Sequence, residues 1–173
     1  MGKTDWKSEA KSLKKELKAL KSTPEAPVKK AKPVSPLAPA SFPVLPRIAG
    51  VEFSTVEAGI KYLNRKDVML VRLAPGTAIA GAFTKSTTRS GCVRDCQTKL
   101  ATEVPPGAGA AIIVNSGNSN AFTGSVGETA VAAVTGSVAD ALGIPASRVF
   151  SSSTGVIGEP LPFEKITAVV GDL

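Results

Sequence analysis

Blocks of apolar residues that alternate with polar turns predict the secondary structure of this chain. Strands are predicted at the start of 51–60, where a turn follows at Ala58-Gly59, and over 68–73, 79–84 and 110–114. The segment 68–73 is mostly continuous in apolar residues, which predicts burial on both faces. Apolar residues at helical spacing predict helices over 8–21, 93–100, 127–142 and 163–170, and a strand is predicted after Arg148.

Two parts of different character divide the chain. Prolines at positions 24, 27, 33, 36, 39, 43 and 46 forbid both a helix and a central strand, so this stretch predicts an extended linker. We therefore expect residues 1–40 to be a flexible Lys/Pro-rich tail and linker, and residues 41–173 to form the folded domain.

The composition favours a layered domain with an aliphatic core. Hydrophobic residues make up 43% of the 173 positions but aromatic ones only 5%, so the core must consist mainly of Val, Ile, Leu and Ala. This predicts an α/β fold, built as an α+β layered sandwich. The chain has no histidine, which excludes a Ser-His-Asp triad and His-based zinc sites within it.

The net charge of +7 lies almost entirely in the tail. Residues 1–33 hold ten lysines and four acids, whereas the other 140 residues hold 11 basic and 10 acidic side chains. A nucleic-acid interface is disfavoured, because the tail has no arginine and Trp6 alone for base stacking. No apolar window is long enough for a membrane span, and no signal or transit peptide is recognised, so a cytoplasmic protein without a membrane partner is predicted.

The two cysteines predict no metal or redox chemistry. Cys92 and Cys96 stand four residues apart, with no further Cys or His to complete a ligand set. We expect both thiols to be reduced and packed, and we expect no metal site.

The segment 150–162, which reads Phe-Ser-Ser-Ser-Thr-Gly-Val-Ile-Gly-Glu-Pro-Leu-Pro, carries the first candidate site. A strand is predicted to end here in small hydroxyl residues before the backbone turns through Gly155. Thr154 offers a hydroxyl donor, and Gly155 lets a ligand approach the backbone N–H, a pair suited to hold an oxyanion during acyl transfer. An ordinary Ser/Thr/Gly turn is the alternative interpretation.

A second polar segment follows the predicted strand 110–114. Residues 115–124 hold three asparagines and two glycines, which predicts a loop rich in side-chain amides. Asn115, Asn118 and Asn120 are candidates for substrate binding. Asparagines in turns more often satisfy local backbone groups, and that structural role is the favoured interpretation.

Several motifs together resemble one enzyme family. They are Ile-Ala-Gly-Val (48–51), Glu-Ala-Gly-Ile (57–60), Asn-Arg-Lys-Asp-Val (64–68), Val-Asn-Ser-Gly-Asn-Ser-Asn-Ala (114–121) and Ser-Thr-Gly-Val-Ile-Gly-Glu-Pro-Leu-Pro (153–162). In this order and spacing, residues 41–173 resemble the α chain of the glutamate N-acetyltransferases of arginine biosynthesis, also called ornithine acetyltransferases.

The resemblance implies a function and a partner. Members of this family cleave themselves at an Ala-Thr bond, and the new N-terminal threonine of the β chain carries acetyl from N2-acetylornithine to L-glutamate. It implies an N-terminal-nucleophile-like acetyltransferase/aminopeptidase type fold, incomplete without the β chain, and an α2β2 heterotetramer. No cofactor is implied, although some members also accept acetyl-CoA as a substrate. By resemblance, Thr154 and Gly155 form the oxyanion hole.

The cleavage bond is expected beyond residue 173, because the only Ala-Thr pair, Ala101-Thr102, precedes Glu-Val-Pro and not apolar residues. The chain alone is therefore expected to be inactive, and most substrate-binding side chains are expected from the β chain. Two other interpretations stay open: a subunit of a related N-terminal-nucleophile amidase or aminopeptidase, and a non-catalytic binding module. The second is disfavoured because neither GxxxxGK[ST] nor GxGxxG follows a strand.

Overall fold

A computed structural model describes residues 6–21 and 36–173 of the chain. Its described residues fall into two units, one ending at Leu45 and one spanning Pro46–Leu173. The first contains helix α1, Trp6–Lys21, which includes the helix predicted over 8–21. Most of the predicted linker, residues 22–35, lies outside the described residues. Among the helices that are described, none has the length and apolar character needed to cross a bilayer.

A four-stranded sheet forms the centre of the second unit. The strands are β1, Val51–Val56; β2, Val68–Leu73; β3, Ala110–Asn118; and β4, Val149–Val156. They lie in chain order: β1 and β2 are antiparallel, β2 and β3 are antiparallel, and β3 and β4 are parallel. Since β3 and β4 point the same way, their carboxyl ends meet at one edge of the sheet.

Three helices pack on this sheet: α2, Gly91–Leu100; α3, Gly124–Leu142; and α4, Phe163–Thr167. The α3 helix provides the crossover from β3 to the parallel β4. Ser90 caps α2 through a hydrogen bond from the Val93 N–H, and Gly143 ends α3 in the left-handed conformation (φ 62°), as its position in the sequence predicts. The predicted 163–170 helix ends at Thr167, and a short 3-10 turn, Val170–Asp172, follows.

The core lies between one face of the sheet and α3. Leu70 is opposite Ile113, Ala111 is opposite Val149, and all four are at most 5% exposed. They pack with apolar residues at helical spacing on α3, namely Ala130, Val134, Val138 and Ala139. The predicted α/β architecture with an aliphatic core is therefore confirmed.

The opposite face of the sheet is less covered. Met69 and Val71 on β2, and Ile112 and Val114 on β3, are only half-buried, whereas Val68, Leu70, Ala111 and Ile113 on the other face are buried. On β1, Phe53 is 65% exposed. The prediction that 68–73 is buried on both faces is thus wrong for the described residues, because the helices cover only one side.

The strand predicted over 79–84 is also wrong. This segment has no regular secondary structure and pairs with no strand of the sheet. A Cβ on Gly81 would lie 2.9 Å from the Phe83 ring and 3.1 Å from Leu100, so the segment packs tightly through side chains. Ile79 and Phe83 are half-buried, while the other residues of this irregular connection are exposed.

Asp67 organises the connection from β1 to β2. Its buried carboxylate accepts hydrogen bonds from the backbone N–H groups of Ala58 and Ile60, both at 2.7 Å. We expect Asp67→Asn to lower the free energy of unfolding by about 1–3 kcal/mol, because the amide can accept only one of the two bonds well. Chemical denaturation measures this loss. Asp140→Asn is the control, since Asp140 is exposed, and an equal loss there would contradict the explanation.

Candidate functional site

The candidate donors Thr154 and Gly155 lie where the two parallel strands end. Thr154 is opposite Ser116, and Gly155 is opposite Gly117. Both Thr154 and Gly155 are exposed. Within residues 6–21 and 36–173, the Thr154 hydroxyl has no hydrogen-bond partner, so it is available to donate to a ligand.

Both strands extend further than their sequences predict. The predicted loop at 115–124 begins four residues late, because Asn115–Asn118 continue β3. Likewise β4 passes through Thr154 and Gly155 to Val156 before the backbone bends at 157–159. Pairing between two distant segments supplies the hydrogen bonds that local Asn, Ser and Gly residues would otherwise take in turns.

Gly155 is required by a close approach of the two strands. A Cβ at this position would lie 2.4 Å from the carbonyl carbon of Gly117 and 2.6 Å from the nitrogen of Asn118. Gly155 also has φ 136°, a conformation that other residues rarely adopt. The ladder shifts register here, since Asn118 is opposite both Thr154 and Val156. This bulge determines how the backbone near the candidate donors is directed.

The three candidate asparagines are buried and hydrogen-bonded within the fold. Asn115 donates to the Asn118 carbonyl at 2.9 Å. Asn118 donates to the carbonyls of Glu159 and Pro160, at 3.0 and 3.2 Å. Asn120, which is fully buried at φ 48°, donates to the Gly127 carbonyl at 2.9 Å. The Asn118 contacts join the end of β3 to the segment that follows β4, and a direct role of the three asparagines in substrate binding stays a prediction.

Two cations lie near the strand ends, although the sequence suggests no cationic cluster. Arg65 Nη2 donates to Ser116 Oγ at 3.0 Å, beside the position opposite Thr154. Lys61 Nζ lies 3.1 Å from the Glu159 carboxylate. Arg65 and Ser116 are 51 positions apart, so only folding brings them together; the motif 64–68 places Arg65 in a polar turn and gives no sign of this contact.

The cysteines lie behind β4. Both are free thiols, as predicted, and both face the strand from α2. Cys92 Sγ is 3.2 Å from Ser153 Oγ, and Cys96 Sγ donates to the Ser151 carbonyl at 3.4 Å. Burial raises the pKa of the Cys96 thiol, which keeps it in the unreactive protonated form at neutral pH.

Comparison with known proteins identifies related sequences. The family model described as the ArgJ family matches residues 52–173. The arginine biosynthesis bifunctional protein ArgJ of Ruegeria pomeroyi is 58% identical over 137 residues, which cover 78% of this chain and 33% of that protein. Its counterpart from Bradyrhizobium diazoefficiens is 49% identical over 135 residues, covering 78% and 32%. The chain thus spans about a third of the length of these relatives.

Two solved structures have a similar fold. The arginine biosynthesis bifunctional protein from Bacillus halodurans superposes with a TM-score of 0.64 at 31% identity, covering 72% of this chain and 63% of that one. The ornithine acetyltransferase from Mycobacterium tuberculosis, crystallised with ornithine, gives a TM-score of 0.65 at 36% identity, covering 72% and 66%.

Proposed function

The chain belongs to the ArgJ family, and from this premise we propose that it is the α-chain portion of an acyltransferase of arginine biosynthesis. The complete enzyme would transfer acetyl from N2-acetylornithine to L-glutamate. Residues 41–173 would form the α-chain portion of the catalytic domain, and residues 1–40 a tail outside it. The complex of a relative with ornithine supports a substrate of this class.

The observation that carries the proposal is the Thr154 hydroxyl, which has no hydrogen-bond partner among the described residues and lies beside the exposed Gly155. A threonine Oγ of the β chain would attack the acetyl carbonyl carbon of the donor, and the carbonyl oxygen would become an oxyanion. Donors already in place would stabilise this charge in the transition state at no cost of reorganisation. Collapse of this intermediate would break the C–N bond, release ornithine with its amine carrying the proton that the threonine hydroxyl loses, and leave an acetyl ester on the threonine.

The second half-reaction would use the same donors. The amine of glutamate would attack the ester carbonyl carbon, an oxyanion would form again, and the threonine oxygen would leave with the proton that the amine loses. Both steps are therefore acyl transfers between amine and hydroxyl, and neither needs a cofactor. Acetyl-CoA would enter the same cycle as an alternative acetyl donor.

Completion by a second polypeptide has independent support. The half-buried residues Met69, Val71, Ile112 and Val114, with the exposed Phe53, form an apolar sheet face that α2, α3 and α4 do not cover. An apolar face of this kind favours burial against further protein. We assign that role to the β chain of the same precursor, released by autocatalytic cleavage in a cytoplasmic α2β2 assembly of the N-terminal-nucleophile-like type.

The test compares the chain alone with the assembled enzyme. Purified residues 1–173 should form no acetylglutamate from N2-acetylornithine and glutamate, because the nucleophile is on the β chain. Co-expression with the remainder of the precursor should restore the reaction, followed by mass spectrometry of acetylglutamate. Turnover by residues 1–173 alone would contradict the assignment of the nucleophile to the β chain. Release of acetate without acetylglutamate would point to an amidase.

A further inference from the structure

A line of hydrogen bonds joins α2 to the end of β3, on the helix-covered side of the sheet. Cys92 Sγ lies 3.2 Å from Ser153 Oγ, and Ser153 Oγ lies 2.6 Å from Asn115 Oδ1. Asn115 Nδ2 in turn lies 2.9 Å from the carbonyl oxygen of Asn118. Cys92 and Asn115 are each 5% exposed, and Ser153 between them is half-buried.

Only one arrangement of protons satisfies all three contacts. The Asn118 carbonyl accepts only, so the Asn115 amide nitrogen must donate to it, and its oxygen must face Ser153. Ser153 has a single hydroxyl proton, which this amide oxygen takes. The Ser153 oxygen is then free to accept, and the Cys92 thiol is the donor that it meets. The line therefore runs in one direction and begins at a protonated thiol.

The line ends at the bulge that faces the candidate donors. Asn118 lies opposite both Thr154 and Val156, and its side chain holds the carbonyls of Glu159 and Pro160. Its own carbonyl accepts the hydrogen bond from Asn115 at 2.9 Å. Because Gly155 lies too close to Gly117 and Asn118 to tolerate a Cβ, any shift of this bulge must also displace the end of β4.

We propose that Cys92, Ser153 and Asn115 are positioning residues that hold the β3 bulge and, through it, the direction of the Thr154 and Gly155 donors. The proposal rests on the proposed function only for its consequence in catalysis. None of the three side chains contacts a reacting atom in this scheme; they act from behind the sheet.

The central test replaces the amide donor of Asn115. Asn115→Asp keeps the shape of the side chain but at neutral pH presents a carboxylate oxygen to the Asn118 carbonyl, so the bond is replaced by repulsion. In the assembled enzyme we expect kcat to fall by up to about 100-fold, since displacements near 1 Å have effects of this size. KM for N2-acetylornithine should stay unchanged, because the lost interaction belongs to the transition state.

A matched pair of serines provides the control. Ser151 lies on the same strand and the same face as Ser153, but its hydroxyl has no hydrogen-bond partner in the described part of the chain. Ser153→Ala should lower kcat, whereas Ser151→Ala should not. Cys92→Ala should lower kcat less, and Cys92→Ser, which retains an O–H donor, should recover part of that loss. Equal effects of the two serine variants would overturn the proposal.

A double variant that combines Asn115→Asp with Thr154→Val distinguishes a positioning role from general destabilisation. The loss of turnover in the double variant should be smaller than the product of the two single-variant losses, because both substitutions act on one interaction. Losses that multiply would contradict the proposal.

A measurement independent of catalysis separates this proposal from the proposed function. Deuterium exchange in peptides covering 150–160 should accelerate in Asn115→Asp and Ser153→Ala, but not in Ser151→Ala. If Thr154→Val leaves turnover unchanged, the oxyanion role fails while the exchange result still tests the line of bonds. Unchanged exchange in Asn115→Asp would overturn the positioning role whatever the activity.

Discussion

Thr154→Val in the assembled enzyme is expected to lower turnover by about 10²–10³, the usual loss for one oxyanion donor. Valine keeps the branched shape of threonine and removes only the hydroxyl. Because this hydroxyl is exposed and makes no hydrogen bond in the described fold, its loss should leave stability almost unchanged. Steady-state formation of acetylglutamate and the thermal midpoint, measured on one preparation, separate the two effects.

Two variants control this measurement. Thr154→Ser retains a hydroxyl and should recover much of the turnover. Ser152→Ala removes an exposed hydroxyl two residues earlier on the same face of β4, and it should have no effect. Full turnover of Thr154→Val would show that the Thr-Gly pair only ends a strand.

Gly155→Ala is expected to destabilise the protein by roughly 2–5 kcal/mol, because conformational strain and steric overlap both act at this position. The new Cβ would overlap the Gly117–Asn118 backbone, at 2.4 and 2.6 Å, and backbone atoms cannot move aside as a flexible side chain can. The φ of 136° adds strain. Thermal and urea unfolding of the assembled enzyme would measure the loss.

Gly136→Ala provides the matched glycine control. Gly136 lies inside α3, and a Cβ there would meet no atom within 4 Å. Alanine should therefore stabilise the helix by about 0.5–1 kcal/mol, since glycine costs conformational entropy in a helix interior. If Gly155→Ala left stability unchanged, β3 and β4 would separate easily at their ends, which would contradict the close approach of the two strands.

Local signals predicted many of the elements well. The run Val68–Leu73 predicted β2 with its observed bounds, and Gly143 predicted the end of α3. The predictions for other segments were wrong because the conformation of those segments depends on distant partners. The sequence predicted a loop at Asn115–Asn118, but these residues form part of β3 and pair with β4. It predicted a strand over 79–84, but this segment pairs with no strand of the described sheet.

The candidate site also contains residues that the sequence predicts and residues that only folding brings together. Thr154 and Gly155 were found from the sequence because a hydroxyl donor next to glycine is a recognisable chemical pair, and the resemblance gave them a role. Arg65 beside Ser116, and the line from Cys92 through Ser153 to Asn115, had no local signal. Each of these contacts joins residues that are 38 or more positions apart.

By themselves, the pattern and composition of the chain determined the α/β class, the aliphatic core and the concentration of charge in the tail, and its motifs gave the resemblance to the family. They did so because periodicity and composition act over a few residues at a time. Tertiary structure alone decided that β3 and β4 continue past their turn-forming residues and that Gly155 presses against Gly117. It also decided that the Thr154 hydroxyl is exposed, because strand pairing and burial depend on partners that the chain brings together only when it folds.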